Sequence, residues 1–410
     1  MYEPIPAWWR LVVVGALLLA PSCANEQRGS DERSGSPSTT AVDRVEGVPL
    51  GPAGNGFYQP PDPLPDGEPG QLIWAREIGA PAGASGWRVL YHSRSVDGRD
   101  IAVSGVVFAP DADDIEGAPR PVLADAHGTT GLADKCAPSR QGSSAVTAST
   151  YLSRGFVVTA TDYEGLGTPG RHPYGVGLSA ARGVLDSVRA AQQLPATRAG
   201  DRVIISGHSQ GGGAALIAGE LAPTYASELE LLGVVAGAPV SELGELATSH
   251  TDEFFGYVAM GVAGFHAAYP DLTLDEVVTA DGMAGLMDIE SLCLEQILVR
   301  FRGRAAELFF ARDPATVGAW ASRLEQNSPG ARPAASPVFL FHGTADEQVP
   351  LTTSEQVRDR YCRSGDARID LAVYPGASHM SVLVAAQDDV LRFVDARLDG
   401  RAAASSCRPG

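Results

Sequence analysis

Three residue types that together can move an acyl group stand in the order Ser209, Asp346, His379, each where a strand-like run gives way to a loop or helix. Gly207-His208-Ser209-Gln210-Gly211 follows Asp201-Arg202-Val203-Ile204-Ile205 and precedes Gly212-Gly213-Ala214-Ala215-Leu216-Ile217-Ala218. Glycine on both sides of a serine lets the chain turn from strand to helix sharply enough to lift the hydroxyl out at the end of a sheet. That hydroxyl is a weak nucleophile until a base takes its proton and a third group fixes the base. Asp346 ends His342-Gly343-Thr344-Ala345-Asp346, directly after the apolar run 337–341; it competes with Glu347 and is preferred for its strand-end position. His379 ends Pro375-Gly376-Ala377-Ser378-His379, just past a run that closes near Tyr374, and is the expected base. The chemistry would be nucleophilic attack by Ser209 on a carbonyl.

Such an attack also needs donors for a tetrahedral oxyanion. One is the backbone N–H of Gln210, at the start of the helix that follows the nucleophile. The second should come from the loop after an early strand, where Val122-Leu123-Ala124-Asp125-Ala126 runs into His127-Gly128-Thr129-Thr130-Gly131; a plain tight turn is the alternative reading of that loop. Of the other histidines, His92 and His172 do not follow the acid at a strand end. His208 flanks the nucleophile and His342 precedes the acid, which suits both to structural hydrogen bonding. No carboxylate or second histidine lies at ligand spacing, so no metal is expected, and no cofactor is indicated.

Elements able to hold these groups in place are visible along the chain. From about residue 70 the texture alternates between strands and helices. Residues 87–95 and 101–108, joined by Val96-Asp97-Gly98-Arg99, predict a β-hairpin. Apolar runs at 121–126, 155–160, 203–206, 232–236, 337–341 and 369–374 predict buried parallel strands. Ala181, Val184, Leu185, Val188 and Ala191 share one helical face, as the crossover between parallel strands requires. An antiparallel start followed by strand and helix repeats is the pattern of an α/β-hydrolase with a mostly parallel central sheet. Residues 240–333 hold no comparable strand; helix-like pieces there carry Phe254, Phe255, Tyr257, Met260, Phe265, Met283, Leu286 and Met287, and predict an inserted helical cap.

Composition narrows the partners. With 410 residues, 44% of them hydrophobic, the chain can bury a large core. A formal charge of −18 argues against nucleic acid and anionic membrane surfaces, and favours a neutral substrate. At the N-terminus Arg10 precedes the apolar run 11–20, too short for a span that needs roughly 20 residues, so 1–23 reads as a signal peptide and the protein as exported. Leu-Ala-Pro-Ser-Cys23 resembles a lipoprotein box, while Ser22-Cys23-Ala24 suits cleavage for free secretion. Acylation of Cys23 would remove the odd cysteine of five and leave Cys136, Cys293, Cys362 and Cys407 for two disulfides. Residues 24–55 would then be a disordered tether to the envelope, and 56–410 the hydrolase domain.

Together these motifs resemble the secretory lipases, the group of fungal lipase A and its actinobacterial relatives. The resemblance rests on His127 to Gly131 continuing through Asp134-Lys135-Cys136-Ala137-Pro138-Ser139, on Thr161-Asp162-Tyr163-Glu164-Gly165-Leu166-Gly167, and on the Ser209, Asp346 and His379 segments, over residues 70–407. It implies a helical cap over an acyl tunnel, action on carboxylic esters including acylglycerols, and the triad Ser209, Asp346, His379. It also implies the bridges Cys136 to Cys293 and Cys362 to Cys407. Fungal members carry an aspartate in the oxyanion loop; here Thr129 or Asp134 is its counterpart, and Thr129 is chosen. Asp162, Tyr163 and Glu164 are expected to be buried and hydrogen-bonded. The same triad could serve an acyltransferase or a peptidase, and outside enzymes the chain could be a surface-anchored binding lipoprotein. The cap's Phe and Met residues suit a core as readily as a tunnel. Acyl chain length and oligomeric state are not legible.

Overall fold

Runs of Val, Ile, Leu and Ala form the middle of a nine-stranded sheet, because a strand covered on both faces has no solvent side and so no polar alternation. In a computed structural model that describes residues 44–45, 47–111, 117–142, 144–249, 253–304, 306–363 and 368–407, the strands are β1 (Leu72–Ile78), β2 (Ala84–Arg94), β3 (Asp100–Pro110), β4 (Arg120–Ala126), β5 (Val157–Thr161), β6 (Ala199–His208), β7 (Glu230–Gly237), β8 (Val338–Gly343) and β9 (Ile369–Tyr374). Their order across the sheet is β9-β8-β7-β6-β4-β5-β3-β2-β1. β1 to β3 pair antiparallel, β3 pairs antiparallel with β5, and the remaining contacts are parallel. This is the α/β-hydrolase arrangement. It puts the C-terminal ends of β4, β6, β8 and β9 along one edge, where the loops after them must meet.

The two faces of the sheet are read in alternation along each strand. Val122 and Ile205 face helices α1 (Gly177–Gln192) and α2 (Gln210–Tyr225), packing with Ala181, Val184, Val188, Ala215 and Ala218. Their neighbours Leu123 and Ile204 face the opposite layer with Val235, Val390 and Val394. Between β7 and β8 the described residues form helices, turns and isolated bridges but no strand, including α3 (Phe255–Ala268) and helices Leu294–Phe301 and Gly318–Gln326. This insertion has its own core of Phe255, Ile297, Phe301, Phe309 and Trp320, which Leu132, Tyr174 and Val176 join from the sheet side.

The described residues fall in one compact unit, Val42–Gly410. The expected signal peptide, Cys23 and the expected tether as far as residue 43 lie outside the described residues. The tether was expected to run to residue 55, but its last part packs on the sheet: Leu50 bridges Ala75, and Gly51 N–H donates to Ala75 O at 3.0 Å. Val48, 8% exposed, and Phe57, fully buried, supply the apolar surface that draws this segment in. At the other edge the C-terminal tail lies along β9. Ser406 N–H donates to Ile369 O, Leu371 N–H donates to Ser406 Oγ at 3.0 Å, and a disulfide joins Cys362 to Cys407.

Candidate active site

Ser209 occupies the turn between β6 and α2 with φ 60° and ψ −121°, a region that costs an L-residue on the order of 1–3 kcal/mol. Surrounding backbone holds it there. Ser209 N–H donates to Gly237 O at 2.9 Å, and its carbonyl accepts from Gly213 N–H at 3.1 Å and Val240 N–H at 3.0 Å. The flanking glycines are required by close approach: a Cβ on Gly207 would lie 2.2 Å from Gly211 O, and one on Gly211 would lie 1.9 Å from Ala126 O. Only glycine lets α2 start this near β4 and β6.

Asp346 follows β8 by three residues and His379 follows β9 by five, and the parallel register of these strands brings the two loops together. His379 Nδ1 lies 2.7 Å from Asp346 Oδ2, with side-chain exposures of 3% and 1%. Gln348 and Val349 N–H donate to Asp346 Oδ1 at 2.9 and 2.8 Å. Burial works to raise the Asp346 carboxyl, but hydrogen bonds from His342, His379 and the Val349 backbone outweigh it and hold the group well below the ordinary carboxylate range. Glu347, the competing acid, is exposed. The His208 ring lies 4.5 Å from that of His379, and burial, with the neighbouring His379, pulls its imidazole down to about 3. His208 is therefore neutral at ordinary pH.

The loop after β4 is tied on three sides. Thr129 Oγ1 is 2.9 Å from Tyr174 OH, Thr130 O accepts from Leu294 N–H at 2.9 Å, and Cys136 is bridged to Cys293. Gly131 has φ 129°, and a Cβ there would lie 2.5 Å from Cys293 Cα, so the loop and the insertion touch backbone to backbone. Asp134, the other counterpart weighed for the second oxyanion donor, is exposed. Asp162 and Tyr163, expected to be buried and hydrogen-bonded, are both, and their bonds hold this loop. Asp162 accepts from Ser104 Oγ at 2.6 Å, from Ser139 N–H at 2.8 Å and from Ser139 Oγ, while Tyr163 OH donates to His127 O at 3.0 Å. Glu164 accepts from Ser179 Oγ, and its carbonyl faces His172 Nδ1 at 2.8 Å.

Residues 139–406 match the family described as secretory lipase. The chain belongs to the secretory lipase family. It is 29% identical over 386 residues to a secreted triacylglycerol lipase of Malassezia globosa, covering 86% of this chain and 82% of the relative. It is 24% identical over 395 residues to lipase A of Moesziomyces aphidis, covering 89% and 84%. Among solved structures, Candida antarctica lipase A superposes with a TM-score of 0.74 at 22% identity, over 86% of this chain and 87% of that one. A rice cell wall degrading esterase from Xanthomonas oryzae superposes with a TM-score of 0.68 at 19% identity, over 82% and 100%. At these identities the superpositions show a shared fold.

In this secretory lipase a cavity opens at Ser209, with about 1150 Å³ of empty space counting its mouth. Its floor is Ser209, Gln210 and Ile217, and its roof is Tyr257, Gly261 and Phe265 of α3. Among the described residues that line it, none is Asp, Glu, Lys or Arg. The insertion's large apolar residues, which suited either role, divide between them. Phe255 and Met260 are fully buried in its core, Tyr257 and Phe265 face the cavity, and Met287 is 67% exposed. His172 also lines the cavity, and burial pulls its imidazole down to about 4, so no cation is offered there near neutral pH.

Proposed function

We propose that this protein is an exported carboxylic-ester hydrolase acting on acylglycerol-type lipid esters through the triad Ser209, His379 and Asp346. The observation that carries the reading is the contrast within one site. The ion-forming pair, Asp346 and His379, is buried and hydrogen-bonded at 2.7 Å, while the cavity that receives Ser209 has no charged side chain among its described lining residues. A neutral ester with an apolar acyl chain fits such a space, and a charged substrate would lose its hydration there without a partner. The names of the relatives, triacylglycerol lipases and an esterase, agree with it.

In the proposed reaction His379 takes the proton of Ser209 as its oxygen attacks the ester carbonyl, and Asp346 steadies the imidazolium. The backbone N–H groups of Gln210 and Thr129 receive the oxyanion. Collapse expels the alcohol, which leaves with the proton from His379. Water then attacks the acyl-enzyme with His379 as base, and the acid departs as Ser209 is restored. Export through residues 1–23 and acylation of Cys23 belong to the same reading. Cys23→Ser should move the protein from the membrane fraction to the medium.

The test is hydrolysis of p-nitrophenyl and glycerol esters from short to long chains, with labelling by a fluorophosphonate probe. Wild type should hydrolyse and label; Ser209→Ala should not label, and its rate should keep no more than the roughly 10³–10⁴-fold acceleration left by oxyanion donors and binding. Unchanged ester hydrolysis by Ser209→Ala would remove the assignment, and rates confined to short soluble esters would make the protein an esterase.

A further inference from the structure

Asp346 is held by two histidines, and the reaction proposed above uses one. His342, fully buried, has Nε2 3.1 Å from Asp346 Oδ2, the same oxygen that His379 Nδ1 reaches at 2.7 Å. The tautomer of His342 follows from its other neighbours. Nε2 is 2.9 Å from Val349 O, which can only accept, so Nε2 carries the proton. Nδ1 lies 2.7 Å from the hydroxyl of fully buried Ser354, which donates to it in the neutral tautomer. His342 thus has a partner at each nitrogen, and the Nε2 that faces Val349 O also lies 3.1 Å from Asp346 Oδ2.

We propose that His342 is a positioning residue of the triad, donating from Nε2 to Asp346 Oδ2 so that the carboxylate is fixed in plane and in charge for His379. The inference rests on the hydrolase reading of Ser209, Asp346 and His379. With His342 present, Oδ1 accepts two backbone N–H groups and Oδ2 faces two imidazole nitrogens, His379 Nδ1 at 2.7 Å and His342 Nε2 at 3.1 Å. Four donors fill the acceptor sites of a carboxylate. The group can then neither rotate nor take up a proton without breaking a bond. The titratable groups facing it are His342 on one side and His379 on the other, with His208 behind the His379 ring. Without the His342 donor, more of the charge on Oδ2 falls on His379, which stabilises the protonated base and leaves the carboxylate free to turn.

The experiment compares His342→Leu, His342→Gln and Ser354→Ala in the full-length protein, by kcat, KM and the pH profile of kcat/KM on a p-nitrophenyl ester. His342→Leu should lower kcat on the order of tenfold, as misplacement of a catalytic group does, with KM within about twofold. Its acid limb should move up by about half a pH unit, since the base is now protonated more easily. His342→Gln, which restores an N–H near Asp346, should recover most of both. A folded His342→Leu with wild-type kcat and limb overturns the proposal, as does equal impairment of Leu and Gln, which would mean packing alone. Should His342→Leu fail to fold, Ser354→Ala decides: it leaves the ring but frees the tautomer, and should move the limb the same way by less, so an unmoved limb overturns the proposal. Wild type that fails to label with fluorophosphonate would sink the hydrolase reading itself, whereas labelled wild type with unmoved variants sinks only the role of His342.

Discussion

The strand-end edge of the sheet and the helical insertion above it are built on different physics. At the edge, geometry is set by backbone: Ser209 is pinned through its own N–H and C=O, Asp346 through two main-chain donors, and Gly207 and Gly211 have no room for a methyl group. In the insertion, position is set by side chains, with Phe255, Phe301, Phe309 and Trp320 packed together and one disulfide joining it to the loop after β4. Gly261 on α3 shows the difference, since a Cβ there meets nothing within 4 Å. Backbone-defined places tolerate almost no substitution, while side-chain-defined walls can be remodelled. A fold that keeps its chemistry on the first kind of surface and its substrate shape on the second can change specificity without touching the reaction.

The sharpest break of this contrast is Asp346→Asn, which keeps the shape of the edge and removes its charge. It should lower kcat about 10⁴-fold with KM little changed, measured by steady-state ester hydrolysis. Next is Gly211→Ala, whose added carbon would lie 1.9 Å from Ala126 O; it should lose more than about 3 kcal/mol in urea unfolding. The two disulfides separate the regions further. Replacing Cys136 and Cys293 by serine should cost about 2–4 kcal/mol and also slow turnover, because the bridge steadies the loop after β4 that carries the proposed donor Thr129. Replacing Cys362 and Cys407 should cost stability in the same range and leave kcat unchanged. The smallest effect belongs to the wall. Gly261→Leu should keep hydrolysis of short p-nitrophenyl esters within about threefold and cut that of long-chain esters about tenfold, a difference of about 1.4 kcal/mol in transition-state binding. Equal losses on short and long esters would mean that α3 is coupled to the chemistry after all.

Legibility followed the same division. The run Val203-Ile204-Ile205 before Gly207 and the run 337–341 before Asp346 carry strand signals because both faces of β6 and β8 are buried, so their ends could be placed from sequence. β1 carries no clear strand signal: it is an edge strand with only partly buried Trp74 and Arg76, and its pairing with β2 shifts between Leu72 and Trp74, which blurs the alternation. The first two residues of β6, Ala199 and Gly200, carry no strand signal, since they are only partly covered and one is glycine. Asp162 could not be understood alone, because Ser104 and Ser139, which explain it, are 58 and 23 residues away. His342 is legible in part; its four-residue spacing from Asp346 across a turn is visible, but not that its Nε2 lies 3.1 Å from the acid.

The tail along β9 has a bearing on how the sheet ends. β9 is the last strand of the sheet, and an uncovered last strand offers its amides and carbonyls to the same strand of another molecule. Ser406 occupies those positions at Ile369 and Leu371, and Ser406 Oγ also donates to Asp370 Oδ1 at 2.7 Å. The tail held by Cys407 thus covers part of the backbone edge that would otherwise be open to another strand.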